Sequence, residues 1–308
     1  MYIVSVIVTI SASIISVLGL VLLTGFTGLF SLGHAGFMSI GAYCAVLINR
    51  DLGVPYFAAI IIGAVLAMLI GALISYAPLR NKLRGDCFAI SMLGFGTVVR
   101  LVFSNMSKNL FKGGGGISGI PRLTTLWGSL LLMVLMIYMM WCFIRSQYGR
   151  NCIAVQQQEI AAEMMGVNLV RTKMLSMMIS AFYCGIAGAQ LAFWLQYVSP
   201  TSFSDARSSN MLATLVTGGT NSLTGPVVAA AFLAFMMEYL RVLTDWRLVI
   251  YGLMLILIMR FRPEGLMGYR EFSVAGFIRI CKVSLQSIVE LPAHISSFAA
   301  RTRQKGDK

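Results

Sequence analysis

Eleven carboxylates are available to this sequence, Asp51, Asp86, Glu159, Glu163, Asp205, Glu238, Asp245, Glu264, Glu271, Glu290 and Asp307, and all but Glu238 fall in or beside the gaps between apolar runs. Ion-coupled transport uses ionisable groups near mid-membrane to hold the coupling ion. The sequence offers no carboxylate relay there, so its energy source reads as external. Glu238 has Arg241 three residues on and reads as half of a structural ion pair near a helix end. ATP chemistry lacks its phosphate loop, because GxxxxGK[ST] occurs nowhere and Lys112 precedes the run Gly113 to Gly116 instead of following it. That glycine run reads as a flexible outer loop able to fold against a docking partner. The two histidines, His34 and His294, are too few for a zinc or haem site. The six cysteines, Cys44, Cys87, Cys142, Cys152, Cys184 and Cys281, form no CxxC and read as small buried hydrophobes. The chain is therefore expected to be no enzyme, with no catalytic residue, metal or cofactor of its own.

Three features retain functional content. The stretch Glu159, Ala161, Ala162, Glu163 and Gly166 has the order E-x-A-A-x-x-x-G among helix formers. A short helix with small side chains can lie in a partner's groove, and Gly166 can end it in a left-handed turn; an ordinary amphipathic connector is the alternative. Glycine and hydroxyl residues interrupt apolar sequence twice, at Thr27, Gly28, Ser31, Gly33, His34, Ala35 and Gly36, and at Thr217, Gly218, Gly219, Thr220, Asn221, Ser222 and Gly225. Paired interruptions point to a transporter's central path, or else to close helix packing. His34 is intramembrane and ionisable, hence a functional candidate, or a neutral imidazole bonded to a nearby backbone carbonyl. Arg100 either snorkels from its helix or lines an outer vestibule.

The elements that must position these residues are membrane spans. Hydrophobic residues make up 58% of the 308 and charged residues 11%, with a mean hydropathy of +0.82, which excludes a soluble globular fold. The net charge of +13 is dispersed in short clusters between apolar runs, fitting cytoplasmic loops and anionic lipid better than nucleic acid. Spans of about 20 apolar residues are expected at Ile3 to Leu23, Leu29 to Ile48, Tyr56 to Ala77, Phe88 to Ser104, Leu126 to Ile144, Met174 to Val198, Val227 to Leu243 and Leu248 to Phe261. The run Asn210 to Thr217 is too short to cross alone, so a broken helix, a re-entrant half-helix or the end of a longer tilted one is expected there. The fold class is an all-α polytopic transmembrane helix bundle of about 8–10 spans. The first run lacks a basic leader and reads as a retained span. Placing the loop 149–173 inside gathers Arg80, Lys82, Arg84, Arg145, Arg150, Arg171, Lys173, Arg260, Arg262 and Arg270 there, against Arg50, Lys108, Lys112, Arg122, Arg207, Arg241 and Arg247 outside. The C-terminus is then cytoplasmic and, on nine segments, the N-terminus external. Residues 1–268 are expected to form the transmembrane domain. Residues 269–308 form a basic tail, read either as a helix on the inner membrane surface, from Phe277, Ile278, Cys281, Leu285, Ile288 and Val289, or as a loosely ordered extension.

The order of motifs resembles the permeases of ABC importers, where the Glu159 to Gly166 stretch looks like the EAA-type coupling motif. It is similar to the branched-chain amino acid permease family, in its LivM-like branch, through Gly28 to Ala42, Leu83 to Val102, Gly113 to Pro121, Ser180 to Ala189, Gly218 to Ala229 and Arg262 to Gly268. Gln156, Gln157 and Gln158 replace charged residues common before the Glu, and Thr97 stands where an acidic or amide residue is frequent. The resemblance implies a bacterial inner-membrane complex with a second homologous permease, two cytoplasmic ATPase subunits that bind ATP and Mg, and an extracytoplasmic solute-binding protein. It also implies a Leu/Ile/Val-like substrate. Urea, short amides and other small polar nutrients are the alternative within the class, and an ion-coupled secondary transporter the alternative outside it.

Overall fold

Apolar runs of about 20 residues become helices because a backbone surrounded by lipid must satisfy its own N–H and C=O groups. The structure, a computed structural model, describes residues 2–81, 85–106, 115–220, 222–240 and 247–261. In chain order these form α1 (Tyr2–Leu20), continued by a π-helical turn Val21–Gly25, then α2 (His34–Leu52), α3 (Tyr56–Arg80), α4 (Asp86–Asn105), β1 (Ile117–Ser118) and α5 (Leu126–Arg145). There follow α6 (Gln147–Gln157), α7 (Glu159–Met164), α8 (Leu169–Leu195), β2 (Tyr197–Val198), a 3₁₀ turn Pro200–Phe203, α9 (Asp205–Gly218), α10 (Thr224–Tyr239) and α11 (Arg247–Phe261). The chain is the polytopic all-α bundle expected of it. Among the described residues five helices are long and apolar enough to cross a membrane, Ile3–Gly25, Tyr56–Arg80, Asp86–Asn105, Leu126–Arg145 and Leu169–Leu195, with Thr224–Tyr239 a shorter apolar helix.

Several expected boundaries move, each for a local reason. The span expected at Met174 starts at Leu169, because Asn168 Oδ1 accepts the Arg171 N–H at 3.1 Å and caps the first turn. It ends at Leu195 and not Val198, because Gln196 turns left-handed at φ 57° and Tyr197 and Val198 pair antiparallel with Ser118 and Ile117. The span expected from Leu29 begins five residues later, at His34, and leaves 26–33 non-helical. The short run Asn210 to Thr217 lengthens to the 14 residues of α9.

α8 lies at the centre and packs on α1, α2 and α3. Small residues let backbones approach there, the usual means of association when lipid removes the hydrophobic drive. A Cβ at Gly188 would lie 2.0 Å from the Met38 carbonyl oxygen, and one at Gly41 2.4 Å from Gly185 Cα. A buried polar knot adds specificity: Gln190 Nε2 donates to Ser11 Oγ at 2.8 Å and to Ser129 Oγ at 2.6 Å, joining α8 to α1 and α5. Tyr183 Oη donates to the Met136 carbonyl at 3.0 Å across the same pair.

The chain's course fixes which ends share a side. α5 and α8 are joined by α6 and α7, so they run in opposite directions, and the β1–β2 clip lies at the other end of the bundle from that connector. Trp194 Nε1 donates to Ser5 Oγ at 3.2 Å, which puts the start of α1 at the clip end. Gly28 lies against Gln156, which puts the end of α1 at the connector end.

Candidate translocation and coupling sites

The connector is two short helices, not one. Gln158 is extended at φ −158° and ψ 109° and separates α6 from α7. Ser146 and Glu159 then open the two pieces, Ser146 Oγ accepting the Gly149 N–H at 3.4 Å. Gly166 ends α7 as expected of it: its φ is +84°, its N–H donates to the Glu163 carbonyl at 3.0 Å, and the Val167 N–H donates to the Ala162 carbonyl at 3.0 Å.

Burial divides the two alanines that the sequence placed on one face. Ala162 is buried, whereas Ala161 and Glu163 are exposed. The face turned outward carries Ile160, Met164 and Met165, the methionines 84% and 85% exposed. An exposed apolar knob of adaptable side chains on a polar connector is the kind of surface that docking interactions use. Sequence reasoning passed over these three; the i, i+4 pairing of Ile160 and Met164 was the available signal. It also missed the anchor of α7. Lys173 Nζ in the first turns of α8 lies 2.7 Å from Glu159 Oε1. The Lys173 side chain is only 8% exposed, so its ammonium depends on that carboxylate. The coupling candidate Glu159 is thereby tied to the central helix of the bundle. Cys152, on α6, is buried, and burial pushes its thiol above the usual range, which leaves it unreactive. Of the other cysteines, Cys184 is buried and Cys44 half-buried, but Cys87 and Cys142 are exposed, contrary to expectation, on the outer faces of α4 and α5. Cys281 lies outside the described residues.

The two interrupted segments meet. A Cβ at Gly25, just ahead of the first, would lie 2.4 Å from the Thr220 carbonyl oxygen of the second. Ser31, His34, Thr217 and Ser222 are all buried, and among the described residues Ser31 Oγ and Ser222 Oγ have no hydrogen-bond partner. Gly219, at φ 104°, turns the chain out of α9, and Gly218 packs against Pro226 and Gly225 at the start of α10. Asn221 lies outside the described residues, as do Lys82, Arg84, Lys108, Lys112, Arg241, the stretch Arg262 to Gly268 and the tail 269–308.

Around His34 the chain is broken at membrane depth. His34 opens α2 and its Nε2 sits 2.7 Å from Ser180 Oγ, near the middle of α8. The Nε2 contact is a hydroxyl across the helix pair, and it adds to an interaction of the ring with the Ser31 backbone, the nearby-carbonyl partner expected of it. The next residue, Ala35, donates its N–H to Ser208 Oγ at 2.8 Å, so α9 also begins at this level and then runs to the connector end. The chain thus passes from β2 at the clip end to the connector end through α9, so the short apolar run is the end of a longer, broken crossing and not a re-entrant one. Gly33 and Gly36 admit the backbone of α4, the would-be Cβ atoms lying 2.3 Å from the Met92 carbonyl and 3.1 Å from Gly96 Cα. Arg100, one turn beyond Gly96, does not stand alone: its Nη2 is 3.9 Å from Asp205 Oδ2 at the start of α9. Both side chains are about a third exposed, at 34% and 39%. Arg207, assigned to an outer loop by its charge, lies instead within α9, which starts as early as Asp205, well ahead of the apolar run that marks it.

Comparison with known proteins completes this geometry. The family described as "Branched-chain amino acid transport system / permease component" matches residues 2–259. The chain is 32% identical over 285 residues to the high-affinity branched-chain amino acid transport system permease protein LivM of Escherichia coli (strain K12), covering 81% of this chain and 66% of that protein. It therefore spans slightly less than two thirds of that relative's length. It is 26% identical over 231 residues to the guanosine ABC transporter permease protein NupQ of Bacillus subtilis (strain 168), covering 68% of this chain and 72% of that protein. It is 30% identical over 136 residues to the xylose transport system permease protein XylH of Escherichia coli (strain K12), covering 42% and 35%. Multi-pass helical architecture, two interrupted segments brought together and a family match over residues 2–259 agree: the chain belongs to the branched-chain amino acid transport system permease family.

Proposed function

We propose that this chain is one translocation subunit of an ATP-driven importer of branched-chain amino acids in a bacterial inner membrane. The likeness to LivM over 81% of the chain carries the substrate reading. In this reading the chain hydrolyses nothing itself. Two cytoplasmic ATPase subunits bind ATP and Mg, a second permease completes the pathway, and an extracytoplasmic binding protein delivers the solute. The loop 149–173 and the C-terminal tail 269–308 face the cytoplasm, the β1–β2 clip the outside, and residues 1–268 form the membrane domain.

The mechanical part follows from the connector. An ATPase surface gripping Ile160, Met164 and Met165 displaces α7, and the 2.7 Å contact of Glu159 with Lys173 passes the displacement to α8. α8 holds His34 through Ser180, so a shift of α8 reaches the start of α2 and, through Ala35 and Ser208, the start of α9. The candidate path residues Ser31, Gly33, His34, Gly36, Arg100, Thr217, Gly218, Gly219, Asn221 and Ser222 belong to or adjoin these breaks. Such a path binds weakly, since tight binding traps the solute.

The test is uptake of radiolabelled leucine by the assembled complex in proteoliposomes with ATP inside. Glu159→Arg is expected to leave membrane insertion intact and to uncouple ATP hydrolysis from uptake. Uptake driven by an ion gradient with the chain alone overturns the reading. The likeness to guanosine and xylose permeases supports a second substrate reading within the same mechanism: competition of leucine uptake by guanosine or xylose, and not by valine, selects it.

A further inference from the structure

A cavity of about 220 Å³ lies apart from both interrupted segments, between α1, α9, α10 and α11. Ser13, at the midpoint of the rod Tyr2–Gly25, lines it, which sets the cavity near mid-membrane. One wall carries Arg207 and Asn210 of α9, another Glu238 of α10, and Leu233 and Met237 supply an apolar side.

Arg207 is the unusual member. Among the described residues its Nε is buried without a hydrogen-bond partner, and no carboxylate lies within ion-pair distance of its guanidinium. A guanidinium at this depth is costly unless something negative meets it, and a charged group retained inside a membrane bundle marks a functional position. Glu238 already has a contact elsewhere, yet a carboxylate has about four lone-pair sites and can take a further donor. A lone anion fits the cavity poorly, because Glu238 repels it. A lone cation fits poorly because of Arg207. A molecule with both charges and an aliphatic body complements all three walls.

We propose that this cavity is a mid-membrane subsite for a zwitterionic amino acid with an aliphatic side chain, its carboxylate on Arg207, its ammonium on Glu238 and its side chain against Leu233 and Met237. The identity of the solute rests on the importer reading above; the site itself rests on the cavity and its charges. The half-helix α9 supplies both Arg207 and the early turns that meet α2, so occupancy of the cavity and the state of the path share one element.

The experiment is saturation-transfer NMR on the full chain in phosphatidylcholine nanodiscs with leucine, leucinamide, which lacks the carboxylate, and 4-methylpentanoate, which lacks the amine. Leucine is expected to give the strongest signal, with each truncated analogue at least about tenfold weaker, the loss expected for a charge-assisted hydrogen-bond partner. Arg207→Gln is expected to weaken leucine by about the same factor, Arg207→Lys by less. Ala234→Phe, which fills the cavity without touching either charge, is expected to abolish the signal at unchanged thermal stability. Unchanged binding in Arg207→Gln, leucinamide competing as well as leucine, or no signal from the wild-type chain overturns the proposal. So does native mass spectrometry showing phosphatidylglycerol held by wild type and released by Arg207→Gln while leucine gives no signal, since a lipid headgroup is then the occupant. The two readings fail separately. Leucine uptake by the complex with Arg207-independent binding sinks the subsite alone, and Arg207-dependent binding without leucine uptake sinks the importer reading alone.

Discussion

α8 and α5 are both long, apolar, membrane-spanning helices, and the less apolar of the two is the buried one. The most apolar window of α8 has a mean hydropathy of 1.5 and is 78% buried, while that of α5 reaches 2.1 and is 17% buried. In water the order is the reverse. In lipid a leucine gains nothing by leaving the surface, so burial goes to helices whose small residues allow close contact and whose polar groups need partners. α8 has Gly185, Gly188, Ser180 and Gln190 for both purposes, whereas α5 presents Trp127, Leu131, Val134 and Tyr138 outward.

The largest effect expected to test this contrast is at Gly188. Gly188→Val forces a side chain into the Met38 carbonyl and is expected to cost about 3 kcal/mol or more, read as loss of the folded chain in size-exclusion and thermal unfolding. A Gly188→Val protein as stable as wild type breaks the comparison. Next, Gln190→Leu leaves Ser11 and Ser129 without their shared donor and is expected to cost about 1–3 kcal/mol, measured as a lowered Tm. At the connector end, Glu159→Gln removes the charge facing Lys173 and is expected to cost about 1–2 kcal/mol, with faster hydrogen exchange confined to residues 159–166. The exchange Glu159→Lys with Lys173→Glu restores protection if the pair acts as a strut, and fails to do so if Glu159 serves only a partner. The smallest effect belongs to α5: Leu131→Ala on its outer face is expected to shift stability by no more than about 0.5 kcal/mol in the isolated chain. A larger shift there means that α5 is part of the packed core after all.

Much of the site was legible where the signal was local. Gly166 was readable as a helix end because a left-handed turn favours glycine, and its φ of +84° agrees. The two glycine-rich interruptions were readable because apolar sequence rarely breaks without a reason, and they do meet. Legibility stopped where a residue's role depends on one far along the chain. Lys173 looked like one more loop cation until folding set it beside Glu159. Arg207 looked like an outer-loop charge until α9 was seen to begin at Asp205. Ala161 and Ala162 looked equivalent, because helical period alone does not say which of two neighbours faces the bundle.

Composition and hydropathy by themselves determined that this chain crosses a membrane several times as helices, since apolar runs of that length leave the backbone no other way to satisfy its hydrogen bonds in lipid. Which helix is central, which breaks converge and which charges face one another were decided only by tertiary structure. Those depend on shape fit and on hydrogen bonds between residues up to 189 positions apart, such as Trp194 with Ser5, and no window along the sequence contains both partners.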